Sequence, residues 1–135
     1  MALPEHAARA DRAPFSYAPI RVVPRVERGE RVNVGVVLYS RPRRFLGVRT
    51  GFDAERLLAL WPGLDIDAVQ RHLDILCLVS HGDPAGGPIA RLPLFERFGW
   101  LTAPASTIVQ PGPVHSGLAT DPAETLDRLY HDLVG

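Results

Sequence analysis

The sequence predicts an α+β domain: a mainly antiparallel sheet that starts with a three-stranded meander, with helices packed on one face. Three observations predict it. Stretches rich in β-branched residues come first and are joined by short Gly- or Pro-containing links. Apolar residues at helical spacing fill the middle of the chain. Two short strand-like stretches and one well-capped helix close it.

Taken in order, Phe15 to Val23 reads as a strand that Pro24 ends, and Arg25 to Glu30, with Gly29, reads as a turn. Val32 to Tyr39 is a second strand. Ser40 to Arg43 turns the chain at Pro42, and Arg44 to Val48 is a short third strand. Short links of this kind join antiparallel neighbours. Asp53 caps a short helix with Ala54, Leu57, Leu58 and Trp61 on one face, stopped by Pro62-Gly63. Asp65 caps a longer helix to about Ser80, in which Ile66, Val69, Leu73, Leu76 and Cys77 share a stripe. His81 to Pro88 is a polar loop, and Pro93 to Phe98 offers one helical turn. Ser106 to Gln110 and Val114 to Leu118 are two further strands, joined through Pro111-Gly112-Pro113. In the last helix Asp121 is the cap, Pro122 takes the first position and Glu124 completes a capping box. Its buried stripe is Leu126, Leu129, Tyr130 and Leu133.

A chain of 135 residues suits one domain, expected over 15–135 behind a flexible tail of residues 1–14. At this size roughly two-thirds of the unfolded surface can be buried without a staple. The single cysteine, Cys77, excludes an internal disulfide and points to a cytoplasmic, soluble protein. No stretch has the pattern of a secretory signal or the length of a membrane span, so no membrane partner is expected. Net charge is zero, yet its distribution is uneven: residues 1–56 carry eleven Arg against six acids, and residues 57–135 four Arg against nine. No Lys is present. Codon bias is the simplest account, although Arg is also the better fork for phosphate or carboxylate.

Strand parity locates a candidate surface. Val32, Val34, Val36 and Leu38 form one apolar row and Ala18, Ile20 and Val22 another. A register with Val22 opposite Val32 puts both rows on the core face. The other face then carries Tyr17, Pro19, Arg21, Asn33, Gly35, Val37 and Tyr39, with Arg21 opposite Asn33 and Pro19 opposite Gly35. Glycine inside a strand marks close approach of a ligand or another backbone. The charged turn adds Arg28 and Glu30 to this binding surface, although an internal ion pair is the blander reading. Three arginines in Arg41-Pro42-Arg43-Arg44 are too few to indicate nucleic acid, which is the less favoured partner class.

A second candidate, a ligand cleft, comes from Thr107, Gln110, His115 and Ser116. His115 and Ser116 are adjacent on a strand and point to opposite faces, so they do not form a proton-sharing pair. His72, Cys77 and His81 lack the second pair of ligands that a zinc site needs, so no metal or cofactor is expected. No catalytic signature is present, which leans against an enzyme.

These residues carry a resemblance. The run Tyr17, Ile20-Arg21-Val22-Val23-Pro24, Arg28-Gly29-Glu30, Val32-Asn33-Val34-Gly35-Val36-Val37-Leu38 resembles the amino-terminal signature of a bacterial family catalogued as domain of unknown function 3037. Ser106-Thr107-Ile108-Val109-Gln110 and Pro113-Val114-His115-Ser116-Gly117 resemble its carboxy-terminal signature. The likeness runs from about Phe15 to Val134. Two departures stand out. Pro19 replaces an aliphatic residue, which implies an edge strand or a bulge, and Ala105 stands where Arg is usual. The family implies no activity. Its members are sometimes encoded near proteins similar to Hip-type kinases, toxin components of some toxin–antitoxin systems, which implies a protein partner of that type.

Two functions are therefore expected to compete. One is a non-enzymatic interaction or regulatory module using Tyr17, Arg21, Arg28, Glu30, Asn33 and Gly35. The other is a binder of, or enzyme on, a phosphate-bearing ligand (a nucleotide or nucleic acid), with Arg21, Asn33 and Glu30 converging on Thr107, Gln110 and His115. The relative position of Arg21 and His115 separates them.

Overall fold

The computed structural model describes residues 11–135. β1 (Ala13–Val22), β2 (Val32–Ser40) and β3 (Phe45–Thr50) form the expected antiparallel meander. α1 (Ala54–Leu60), α2 (Ile66–His81) and α3 (Leu94–Leu101) follow, then β4 (Val109–Pro111), β5 (His115–Ala119) and α4 (Pro122–Leu133). β1 starts two residues before Phe15, because Ala13 and Pro14 pair with Ala119 and Leu118. The remainder of the expected tail, residues 1–10, lies outside the described residues.

The sheet order is β3-β2-β1-β4, with β5 also on β1. β4 and β5 act as one interrupted edge strand. β4 pairs with Ile20–Val22 and β5 with Ala13–Tyr17, and Gly112-Pro113-Val114 bulge out opposite Ala18-Pro19. This bulge accounts for Pro19 in an inner strand. Gly112 N–H donates to the Pro19 carbonyl at 2.8 Å, so that side of Pro19 faces the bulge, where its missing N–H breaks no regular ladder. The edge-strand alternative is thereby excluded.

The aspartate caps form as expected, but the capping box does not close: Glu124 N–H donates to Asp121 Oδ1 at 3.3 Å, and among the described residues no bond returns from the Asp121 N–H to the Glu124 carboxylate. Asp53, Asp65 and Asp121 accept the first free amides of α1, α2 and α4, each cap contributing about 1 kcal/mol. Thr125 Oγ1 also ties back to the Asp121 carbonyl at 2.9 Å. α2 ends at Gly82, whose φ of 69° lies in the left-handed region that favours a residue without Cβ. Its last carbonyls, on Val79 and Ser80, accept from Arg97 Nη1 at 3.0 Å each, and Arg97 Nε donates to the Leu92 carbonyl at 2.8 Å. Around that fork the chain makes two full turns, Leu94–Leu101, rather than the single turn expected from Pro93 to Phe98.

Two apolar clusters pack against the sheet. Ala18, Ile20, Val22, Val34 and Val37 meet Val69, Leu73, Leu76 and Val79 of α2 and Phe98 and Leu101 of α3. Phe15, Val36 and Leu38 meet Leu126, Leu129, Tyr130 and Leu133 of α4. Neighbouring strand residues point to opposite faces, so Val36 and Val37 assign these clusters to the two faces of one sheet. The expected packing of helices on one face holds for α2 and α3, and α4 takes the other.

The cause is a bulge in β2. Arg21 pairs with Asn33 and Ile20 with Gly35, which leaves Val34 as the extra residue. Val34 and Gly35 thus lie toward the same face, and the parity beyond them is reversed. The apolar row expected over Val32, Val34, Val36 and Leu38 is split: Val34 faces α2, Val36 and Leu38 face α4. Val37 and Tyr39, expected beside Arg21, turn instead toward α2 and α3, where Tyr39 stacks on Phe98 at 5.2 Å.

Candidate functional site

The register places one row of polar residues across three strands. Asn33 of β2, Arg21 of β1 and Gln110 of β4 are direct partners, and paired residues share a face. Tyr17 pairs with His115 of β5 on that same face, their rings 5.3 Å apart. α4 packs chiefly over β2 and β3 and reaches Phe15 and Tyr17 of β1, so the Arg21–Gln110 part of this face lies outside its main contacts. The Arg21–Asn33 pairing on which the surface depends is therefore present, although the ladder behind it is not continuous.

The members of this row are not chemically equivalent. Asn33 is engaged: its Nδ2 donates to the Leu133 carbonyl at 3.2 Å and holds the last turn of α4. Gln110 is engaged too, its Nε2 donating to the Thr107 carbonyl at 2.7 Å. Arg21 is not. Among the described residues its Nε is the one buried side-chain nitrogen or oxygen with no hydrogen-bond partner. Burial, and then the positive charge of Arg31, lower its pKa from the usual arginine value. No carboxylate of the described residues forms an ion pair with it.

Gly112 explains how the Nε comes to be enclosed. A Cβ at that position would lie 2.7 Å from Arg21 Cζ and from Pro19 Cγ, and 2.9 Å from Arg21 Nε. The edge-strand bulge thus brings bare backbone onto the inner part of the guanidinium, an approach that only glycine permits. The side chain as a whole is still partly exposed.

The remaining expected site residues separate. Gly35 pairs with Ile20, not Pro19, and lies toward the face opposite Arg21. A Cβ there would meet the Arg49 carbonyl at 2.8 Å, so this glycine admits the neighbouring strand rather than a ligand. Arg28 and Glu30 are exposed and form an ion pair with each other at 2.6 Å. Ser116 pairs with Ser16 on the α2 face, away from His115. Thr107 precedes β4, and its hydroxyl donates to the Val109 carbonyl at 2.7 Å. His115 and Arg21 share a face but stand four β1 positions apart, about 13 Å along the strand. Of the cleft expected to join Arg21, Asn33 and Glu30 to Thr107, Gln110 and His115, the row Asn33–Arg21–Gln110 comes together, while His115 stands apart from it.

Sequence reasoning passed over one residue. His72, weighed only as a metal ligand, sits half-buried on α2 and lines two cavities together with Thr107. Its single helical position among Val69, Leu73 and Leu76 gave no signal that a strand-edge loop would fold against it. Cys77 is half-buried with Sγ 3.8 Å from Thr50 Oγ1, and burial pushes its pKa up. Among the described residues no group of three or more His, Cys, Asp or Glu is placed to hold a metal ion, and no helix is long and apolar enough to cross a membrane.

Compared with known proteins, residues 17–134 match the family model described as "Protein of unknown function (DUF3037)". No curated protein and no solved structure matches the chain.

Proposed function

Because this chain belongs to a family of unknown function, DUF3037, its use is read from the site, and we propose that it is a non-enzymatic protein-interaction module. It docks an acidic segment of a partner on the Arg21–Gln110 part of the sheet. Arg21 is the anchor, Tyr17 and His115 provide the neighbouring aromatic surface, and Arg31 adds positive charge beside it. The observation that supports this is the guanidinium with an enclosed, unsatisfied Nε on a part of the face outside the main contacts of α4. An Arg left without its acceptors is at a disadvantage in the free protein. A partner carboxylate or phosphate accepting from the outward-facing Nη atoms offsets that disadvantage with charge-assisted hydrogen bonds. Arg and aromatic side chains are also the residue types that dominate binding energy at interfaces.

A Hip-type kinase-like protein is the partner that the family resemblance suggests, and a cytoplasmic setting, expected from the single cysteine, suits it. The test is capture by the immobilised domain, at low and at raised salt, of such a kinase-like protein encoded nearby. Replacing Arg21 by Met should weaken capture roughly thirtyfold, the loss of an interface anchor worth about 2 kcal/mol. Arg28→Met should have little effect, since that side chain is paired within its own turn. Capture that survives Arg21→Met unchanged would remove the proposal.

A further inference from the structure

The opposite face of the sheet holds a second feature, which meets the Arg21 row only at Gln110 on the β4 edge. α2, the carboxy-terminal end of α3 and the segment leading into β4 enclose a cavity of about 290 Å³. Its floor is the core itself: Ile20, Leu76, Leu101 and Val109 line it and all are buried. Trp100 stands at its rim, 41% exposed. A second cavity of about 400 Å³ adjoins it and shares His72, Thr107 and Val109. His72 and Thr107 therefore stand at the waist between the two.

An apolar hollow with a few convergent polar groups is the usual form of a small-ligand site, and such sites run from about 300 to 1,000 Å³. At about 30 Å³ per water molecule, 290 Å³ holds roughly ten waters or one small organic molecule. Waters over this floor would touch mostly hydrocarbon, so an apolar body displaces them favourably. The polar lining, His72 and Thr107 with Gln110 in the first cavity and Ser106 in the second, sets the head group. Thr107 has already donated its hydroxyl proton to the Val109 carbonyl, which leaves that oxygen an acceptor. Burial alone lowers the pKa of His72, with no charged or hydrogen-bonding neighbour contributing, so its imidazole is neutral and offers one donor and one acceptor. No cationic side chain lines either cavity. A charged head would lose its hydration here without gaining a counter-charge.

We infer that this cavity is a binding site for a small uncharged amphiphile: an apolar body seated on Leu76, Leu101 and Val109, and one hydroxyl or carbonyl hydrogen-bonded at His72 and Thr107. The site asks for shape and one neutral polar contact. It does not supply the machinery for bond making or breaking.

The experiment uses 2-naphthol as the probe and naphthalene-2-sulfonate as its charged analogue. Methyl NMR shifts of Leu76, Leu101 and Val109 and the Trp100 indole N–H shift are followed on the full chain. Saturable binding of 2-naphthol with shifts confined to these residues is expected, and the sulfonate should bind at least tenfold more weakly. His72→Leu keeps the apolar bulk and should weaken 2-naphthol five- to tenfold, the loss of one hydrogen bond. Ala105→Trp changes an exposed lining residue, leaves the core intact and should block the site. No methyl shifts up to the solubility limit, equal affinity for the sulfonate, or shifts that persist in Ala105→Trp would each overturn the proposal.

Discussion

Replacing Arg21 by methionine should make the free domain more stable while weakening its docking. Methionine keeps an unbranched apolar stem against Pro19 and removes the guanidinium. A buried donor with no acceptor costs about 1–3 kcal/mol. The outer part of this fork reaches solvent, which reduces the cost to about 1 kcal/mol, and the repulsion from exposed Arg31 adds little. The lowered pKa has the same sign. A base whose folded pKa is depressed is less favourable as a cation in the fold than in the unfolded chain. At neutral pH the cation is present in both states, so its burial is a constant destabilisation, relieved only as pH rises past the folded value. The variant should gain roughly 0.5–1.5 kcal/mol, a rise in Tm of about 2–6 °C for a chain of this length. Urea unfolding at fixed ionic strength measures it directly. Arg97→Met is the control of opposite sign. That fork has three carbonyl acceptors, and its loss should cost about 2–3 kcal/mol. A loss of more than about 1 kcal/mol in Arg21→Met would show that Arg21 has a structural role, and the docking proposal would lose its main support.

Three further outcomes follow from particular positions. Arg44 has a φ of 49°, in the left-handed region. Arg44→Gly should therefore raise stability by about 0.5–1 kcal/mol in a thermal melt, the relieved strain exceeding glycine's entropy cost. Asn33→Ala removes the bond to the Leu133 carbonyl and should cost about 1 kcal/mol, with faster amide exchange confined to the last turn of α4. Burial holds His72 below the usual imidazole value of about 6.5, so the unfolded chain takes up its proton first as pH falls. The contribution is complete above that value and is lost below it. Between pH 7.5 and 5 the urea midpoint should fall more in the parent protein than in His72→Gln.

Elements with strong local signals were legible. The capped starts of α1, α2 and α4 rest on Asp53, Asp65 and Asp121, whose side chains bond amides two or three residues away. The first hairpin was legible near its turn, where Val22 meets Val32 and Arg21 meets Asn33. Beyond Gly35 the pattern loses its information. Val36 and Val37 are both apolar, so either parity buries a valine, and periodicity does not choose between them. The run VGVVL did carry a different signal: a strand with no polar side is one that both faces of a sheet bury. That signal would have anticipated α4 on the second face. His72 was illegible as a site residue because its cavity partners, Thr107 and Val109, are more than thirty positions away.

The sequence by itself determined most of the elements, the aspartate caps and the antiparallel opening of the sheet, since propensity, capping and turn chemistry act between residues a few positions apart; the strand expected over Ser106 to Gln110 is found only at Val109–Pro111. The tertiary structure decided which side chains share a face and which find partners. One extra residue at Val34 reverses a strand's parity, and one bulge at Gly112 encloses an arginine Nε. Both depend on backbone meeting backbone across strands, a relation that no local pattern encodes.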